Sequence, residues 1–325
     1  MNIIRVKNLA KQFNGLTAVD HVGFEVQKGE IFGFLGPNGA GKTTTINMLS
    51  TILPPTEGEA FINDFSISSQ KDSVRKSIGL VFQDPSLDDQ LTAEENLKFH
   101  ARLYGVPSNE YKKREKEVLQ LVDLWDRKNE TIKNYSGGMK RRLEIARGLI
   151  HYPAVLFLDE PTLGLDPQTR AHLWDYILKL KREKEMTIFM TTHYMNEAEY
   201  CDRIAIIDYG KIVALDTPLN LKKQVGGDII RMTSGQKDNL KAELEKRYQQ
   251  EAKEENGMLQ IEVADGERFL PRLFNELDTK IDSIELRRPT LDDVFLKMTG
   301  RAIREEEVSD KERMRRHMRM GRRMH

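Results

Sequence analysis

Apolar residues fall along the chain in short blocks whose period changes repeatedly. Residues 3–6 and 18–26 alternate partially in the manner of strands, and Lys28-Gly29-Glu30 closes the second as a turn. Ile31–Leu35 is an unbroken apolar run of buried-strand type, and a helix is predicted behind it over residues 42–49. Residues 58–84 return to strand-like segments, clearest at 58–62 and 78–82. From about residue 91 to 150 the period becomes helical. Thr92 with Glu95 makes a capping box, and the run through Tyr104 stops at Gly105, with Pro107 just beyond. A second helix over 110–124 sorts Val118, Leu119 and Val122 away from its charges. Residues 155–158 and 187–191 read as central parallel strands with a helix over 167–183 between them. Residues 204–208 and 211–214 form a hairpin across Tyr209-Gly210. This alternation predicts an α/β sheet interrupted by a helical insertion at about 88–150.

A boundary is expected near residues 221–228, where Gly226-Gly227 follows a basic stretch. Beyond it the pattern repeats strand then helix three times, at 229–233, 237–248, 258–263, 267–277, 281–286 and 291–298. That order suits a small α/β accessory domain over 228–300, after a first domain of 1–222. Residues 301–325 show no apolar period, are dense in arginine and methionine, and read as a disordered tail. The 325 residues carry 51 basic and 51 acidic side chains, so no bulk charge steers the chain toward nucleic acid. No apolar stretch approaches the roughly 18–20 residues of a membrane span. No leader pattern precedes the first strand, and the single cysteine, Cys201, excludes an internal disulfide. A cytosolic protein is expected, one that needs a partner chain for any work in a membrane.

The sharpest chemistry lies between the first buried strand and the helix after it. Gly36-Pro37-Asn38-Gly39-Ala40-Gly41-Lys42-Thr43 fits the G-x-x-x-x-G-K-[ST] phosphate loop, and Thr44 follows. Its glycines let consecutive N–H groups converge on phosphate oxygens, and the helix adds its positive N-terminal end. Lys42 can reach the β- and γ-phosphates, and the Thr43 hydroxyl can ligate magnesium. Asp159 and Glu160 end an apolar strand, where a carboxylate beside a phosphate loop holds magnesium and the next can act as general base on water.

The order of further pieces carries a resemblance. Asn134-Tyr135-Ser136-Gly137-Gly138-Met139-Lys140, ahead of a helix over 141–150, is similar to the signature sequence of ATP-binding cassette ATPases, with Tyr135 and Met139 departing from the usual Leu-Ser-Gly-Gly-Gln. Gln83 resembles the family's Q-loop glutamine, Leu163-Gly164-Leu165-Asp166 its D-loop and His193 its switch histidine. Phe13 stands where the family stacks an aromatic ring on adenine. The resemblance spans about residues 3–220. It implies a phosphate-loop NTPase core with an antiparallel β subdomain, and ATP with magnesium held by Thr43, Asp159 and Gln83. The implied catalytic residues are Glu160, His193, Gln83 and Lys42. It also implies a head-to-tail homodimer in which Ser136, Gly137, Gly138 and Asp166 complete the partner's nucleotide site.

Arg287-Arg288-Pro289-Thr290-Leu291-Asp292-Asp293-Val294-Phe295 resembles the ending of drug-resistance ATP-binding subunits of the daunorubicin-exporter type. Pro289-Thr290 is equally a helix start with Asp292 and Asp293 in the first turn. The implied protein powers a separate membrane permease from the cytoplasmic face. Two rival classes stand beside it. A soluble cassette that remodels ribosomes or DNA calls for tandem cassettes, a long coiled coil or a basic face. A sensor that does not hydrolyse conflicts with having both Glu160 and His193. For the Arg/Met tail, a solvated chain and contact with anionic lipid are both open.

Overall fold

The computed structural model describes residues 1–84, 86–255 and 257–300. The tail expectations at 301–325 lie outside the described residues. Two sheets build the larger part of the protein. Four antiparallel strands stand in the order Leu16–Gln27, Asn2–Phe13, Glu57–Ile62, Phe65–Ser66. The second sheet has six strands in the order Lys211–Asp216, Arg203–Asp208, Ile31–Leu35, Thr187–Thr192, Val155–Asp159, Ile78–Val81. All of its pairs are parallel except the outer hairpin, as the alternating pattern requires.

The unbroken apolar strands are buried on both faces, and their period-2 geometry divides their side chains between two cores. Ile31, Leu35, Leu156, Leu158, Ile188, Met190, Ile204 and Ile206 face the helical insertion. Phe32, Phe34, Val155, Phe157, Phe189, Ala205 and Ile207 face the antiparallel sheet. There Phe24, Phe32, Phe34, Phe157 and Phe189 pack ring on ring at centroid distances of 5.3–5.9 Å. The insertion begins with Ala93–Leu103 and Ser108–Leu121. The Thr92–Glu95 capping box is present, and both helices pack on the long helix Gly137–Leu149.

Three expectations need correcting. Residues 58–84 are not all strand-like: Lys71–Ser77 is a helix. Only Val74 and Ser77 of it turn inward, so it leaves no apolar period. The helix expected over 141–150 begins at Gly137, with Ser136 as its N-cap accepting from the Met139 N–H. Two glycines with poor helix propensity hide that start. Residues 218–225 form the helix Pro218–Val225, capped by Thr217, so the chain breaks at Gly226-Gly227.

Beyond that break an antiparallel sheet runs Lys253–Glu255, Met258–Val263, Asp228–Thr233, Ser283–Arg287. With helices Lys237–Tyr248 and Gly266–Glu276 it closes a separate core around Ile230, Leu240, Leu244, Ile261 and Leu273. The edge strand Lys253–Glu255 is exposed and all charged, and so carries no apolar signal.

The last helix, Leu291–Thr299, leaves this small domain. Its Leu291, Val294 and Phe295 join the core beneath the insertion and pack on Pro218–Val225 and Met195–Ala198, just after His193. Thr290 and Asp293 form its capping box, and Lys297 Nζ donates to the carbonyls of Gln224 and Val225 at 2.8 and 2.9 Å. Phe295 is fully buried. Phe295→Ala is therefore expected to cost about 3–5 kcal/mol and to release this helix. Amide hydrogen exchange over residues 291–299 is the check, and protection unchanged from wild type would refute it.

Candidate nucleotide site

The phosphate loop leaves the C-terminal end of Ile31–Leu35 and enters the helix Lys42–Leu49. Two glycines are sterically required. A Cβ on Gly36 would lie 2.3 Å from the Ile207 carbonyl oxygen. Gly41 has φ +109°, with the Ala18 carbonyl oxygen 2.5 Å from where its Cβ would stand. The first-turn N–H groups of Lys42, Thr43 and Thr44 have no helical acceptor to bind, so the loop ends in donors.

Lys42 folds back over this loop. Its ammonium donates to the Gly36 carbonyl at 2.7 Å and the Pro37 carbonyl at 3.1 Å, and stands 3.2 Å from Glu160 Oε1. Both side chains are nearly buried. Burial pushes the Lys42 ammonium down, opposed by the Glu160 carboxylate. For Glu160 burial acts upward, but His193 and Lys42 outweigh it and hold the carboxyl below its ordinary value. His193 Nδ1 lies 3.3 Å from Glu160 Oε2, buried and without a well-formed hydrogen bond.

Glu160 has φ +46°, an uncommon conformation for a residue with a side chain. Its N–H is fixed by both the carbonyl (3.2 Å) and the hydroxyl (3.0 Å) of Thr191, which hold the strain at the strand end. Thr191 Oγ1 also donates to Asp159 Oδ1 at 2.5 Å, and Thr43 Oγ1 donates to the same oxygen at 3.4 Å. Burial raises the Asp159 carboxyl, with these two hydroxyls acting against it. One carboxylate beside one hydroxyl is a sparse oxygen set. Among the described residues no group of three or more His, Cys, Asp or Glu side chains gathers around a metal position. That set suits magnesium, which takes one or two protein oxygens and completes its shell with phosphate and water.

Comparison with known proteins accords with this geometry. The family model described as ABC transporter matches residues 19–163, and that described as the C-terminal domain of DrrA1-3-like ATP-binding protein matches 217–299. A linearmycin resistance ATP-binding protein of Bacillus subtilis is 38% identical, over 93% of this chain and 100% of its own. A daunorubicin/doxorubicin resistance ATP-binding protein of Streptomyces peucetius is 36% identical, over 96% of this chain and 97% of its own. The chain belongs to the ATP-binding cassette transporter family. It is an ATPase of that family. Among solved structures, a dimeric cassette in a post-hydrolysis state with ADP and Pi superposes with a TM-score of 0.59 at 29% identity, covering 66% of this chain and 98% of that one.

The remaining motif residues of this cassette fall into three groups. Phe13 ends the Phe13–Leu16 hairpin, whose second strand borders Gly41. Phe13 is 42% exposed, with the Lys11 ammonium 5.2 Å from the ring centre. Gln83 is exposed just after Ile78–Val81. No hydrogen bond among the described residues joins its side chain to Thr43 or Asp159; the carbonyl of neighbouring Phe82 accepts from Arg141. Ser136 and Asp166 are both occupied as helix N-caps. Ser136 Oγ accepts from the Met139 N–H, and the two Asp166 oxygens accept from Thr169 N–H and Oγ1.

Two charged residues at the site escaped the sequence reading. Arg141 is buried and donates to the carbonyls of Asp159, Glu160 and Pro161. Glu197 is fully buried, accepts from the hydroxyls of Thr162 and Thr192, and so ties the segment after Glu160 to the segment before His193. Arg141 had left a trace in the sequence: with Glu144, Ile145, Gly148 and Leu149 it follows a helical buried stripe, and charges on such a stripe are paired or functional. Among the described residues no helix is long and apolar enough to cross a membrane.

Proposed function

We propose that two copies of this cassette pair head to tail around two MgATP molecules and that their closing and opening drive a separate membrane permease. The observation that carries this reading is the incomplete site in one chain. Lys42, Glu160 and His193 converge on the phosphate loop, whereas the second anion-binding helix end, Ser136-Gly137-Gly138, opens a helix of the other subdomain. A facing copy would supply that helix end to the γ-phosphate, and the dimeric relative with ADP and Pi supports the pairing.

In the assembled site Lys42 releases Glu160 and binds the β- and γ-phosphates. Glu160, still beside His193, takes the proton of the attacking water, and His193 orients it. Thr43, Asp159 and Gln83 would hold magnesium, which neutralises charge on the phosphates. Phe13 stacks on adenine. The Asp166 segment crosses to the partner. Hydrolysis loosens the pair and resets the permease. The resistance proteins among the relatives favour export of drug-like molecules from a cytoplasmic, membrane-peripheral position.

The deciding measurement is ATP turnover per chain against protein concentration. Turnover is expected to fall steeply on dilution as the pair dissociates. A rate per chain that stays at its maximum through a dilution at which light scattering reports only monomer would overturn the reading.

A further inference from the structure

The helix that opens with Ser136-Gly137-Gly138 turns Arg141 into the protein, where its side chain is 7% exposed. The guanidinium is fully engaged. Nε donates to the Pro161 carbonyl at 2.7 Å, and Nη2 to the carbonyls of Asp159 and Glu160 at 3.1 and 3.2 Å. Nη1 donates to the Phe82 carbonyl at 2.5 Å and to Glu144 Oε2 at 3.0 Å. The four carbonyl acceptors lie on two segments remote in sequence: three consecutive residues containing Glu160, and the residue before Gln83.

The next turns of the same helix extend the grip. Glu144 Oε1 accepts from the Ser86 N–H at 2.8 Å, and Arg147 donates to the Ser86 carbonyl and hydroxyl at 2.6 and 2.5 Å. The segment that carries Gln83 is thus held on both sides, at Phe82 and at Ser86, by one face of one helix.

We propose that Arg141 is a positioning residue that makes the Ser136 helix, the Glu160 carboxylate and the Gln83 segment move as one body. The inference rests on the roles given above to Glu160 and to the helix end. A planar guanidinium with five fixed N–H groups can bridge four carbonyls only in one arrangement, and a buried charge that loses its partners is costly. A displacement of the helix start therefore cannot leave Asp159–Pro161 behind. Glu160 is the residue most exposed to such a pull, because its backbone already sits at φ +46°. Phosphate bound at the start of the helix, in the partner's site, is in this way transmitted to the base in the chain's own site. Small errors in the placement of a reacting group reduce rates strongly.

The test uses full-length Arg141→Lys and Arg141→Gln. Lysine keeps the charge but donates from one point, and glutamine is too short to span the carbonyls. Both are expected to lower kcat by about 10- to 100-fold, while affinity for a fluorescent ATP analogue stays within about threefold, since the phosphate loop is untouched. A kcat within about twofold of wild type in both variants would overturn the proposal. So would a loss of kcat matched by an equal loss of nucleotide affinity and a lowered unfolding midpoint, which is damage to the fold. Glu160→Gln separates this from the underlying reading: full turnover there removes the general base itself. An inactive Glu160→Gln beside fully active Arg141 variants removes only the strut.

Discussion

Glu160→Gln is expected to lower ATP turnover by about 10²- to 10⁴-fold while leaving nucleotide binding intact or stronger. The amide is nearly isosteric, and its oxygen can still meet Lys42, so the buried cluster keeps its shape. What it cannot do is accept a proton. The same change removes the charge that faces Lys42 at 3.2 Å, which frees the ammonium for phosphate. Bound ATP should therefore persist, and a nucleotide-loaded dimer should accumulate during gel filtration with MgATP. Single-turnover measurements separate the two effects, because they read the chemical step without release. Normal single-turnover rates in this variant would assign the proton to another acceptor. His193, whose Nδ1 is buried without a well-formed hydrogen bond, would be the first to examine.

Much of this site was legible in the sequence because its parts are local. The phosphate loop is eight consecutive residues between a strand and a helix, and unbroken apolar runs show where strands end and carboxylates begin. The sheet order was not legible. Nothing in residues 31–35 says that their neighbours are residues 187–192 and 203–208 rather than the next strand in the chain. Nor did local pattern reveal that Leu291, Val294 and Phe295 belong to the first core, since an amphipathic helix does not name the surface it covers. Arg141 and Glu197 were missed for the same reason. Each matters through backbone carbonyls or hydroxyls brought from distant segments; the buried stripe marks Arg141 as a charge needing partners, but not which partners.

Lys42→Ala should reduce affinity for ATP by about two orders of magnitude, the scale on which truncating a buried, hydrogen-bonded charge acts. In the structure Lys42 donates to the Gly36 and Pro37 carbonyls of the loop and faces Glu160 just past the end of the strand Val155–Asp159. Its removal empties the cationic position over the phosphate loop and leaves Glu160 facing His193. The loss should scale with the phosphates reached. ATP and ADP, which present a β-phosphate, should bind much more weakly, while AMP, held by the ring of Phe13 and the helix N-terminus, should bind as before. Titration of the three nucleotides against wild type and variant checks this directly. An equal loss for all three would mean that the loop has lost its form, and ATP affinity within twofold of wild type would take the phosphate-binding role away from Lys42 altogether.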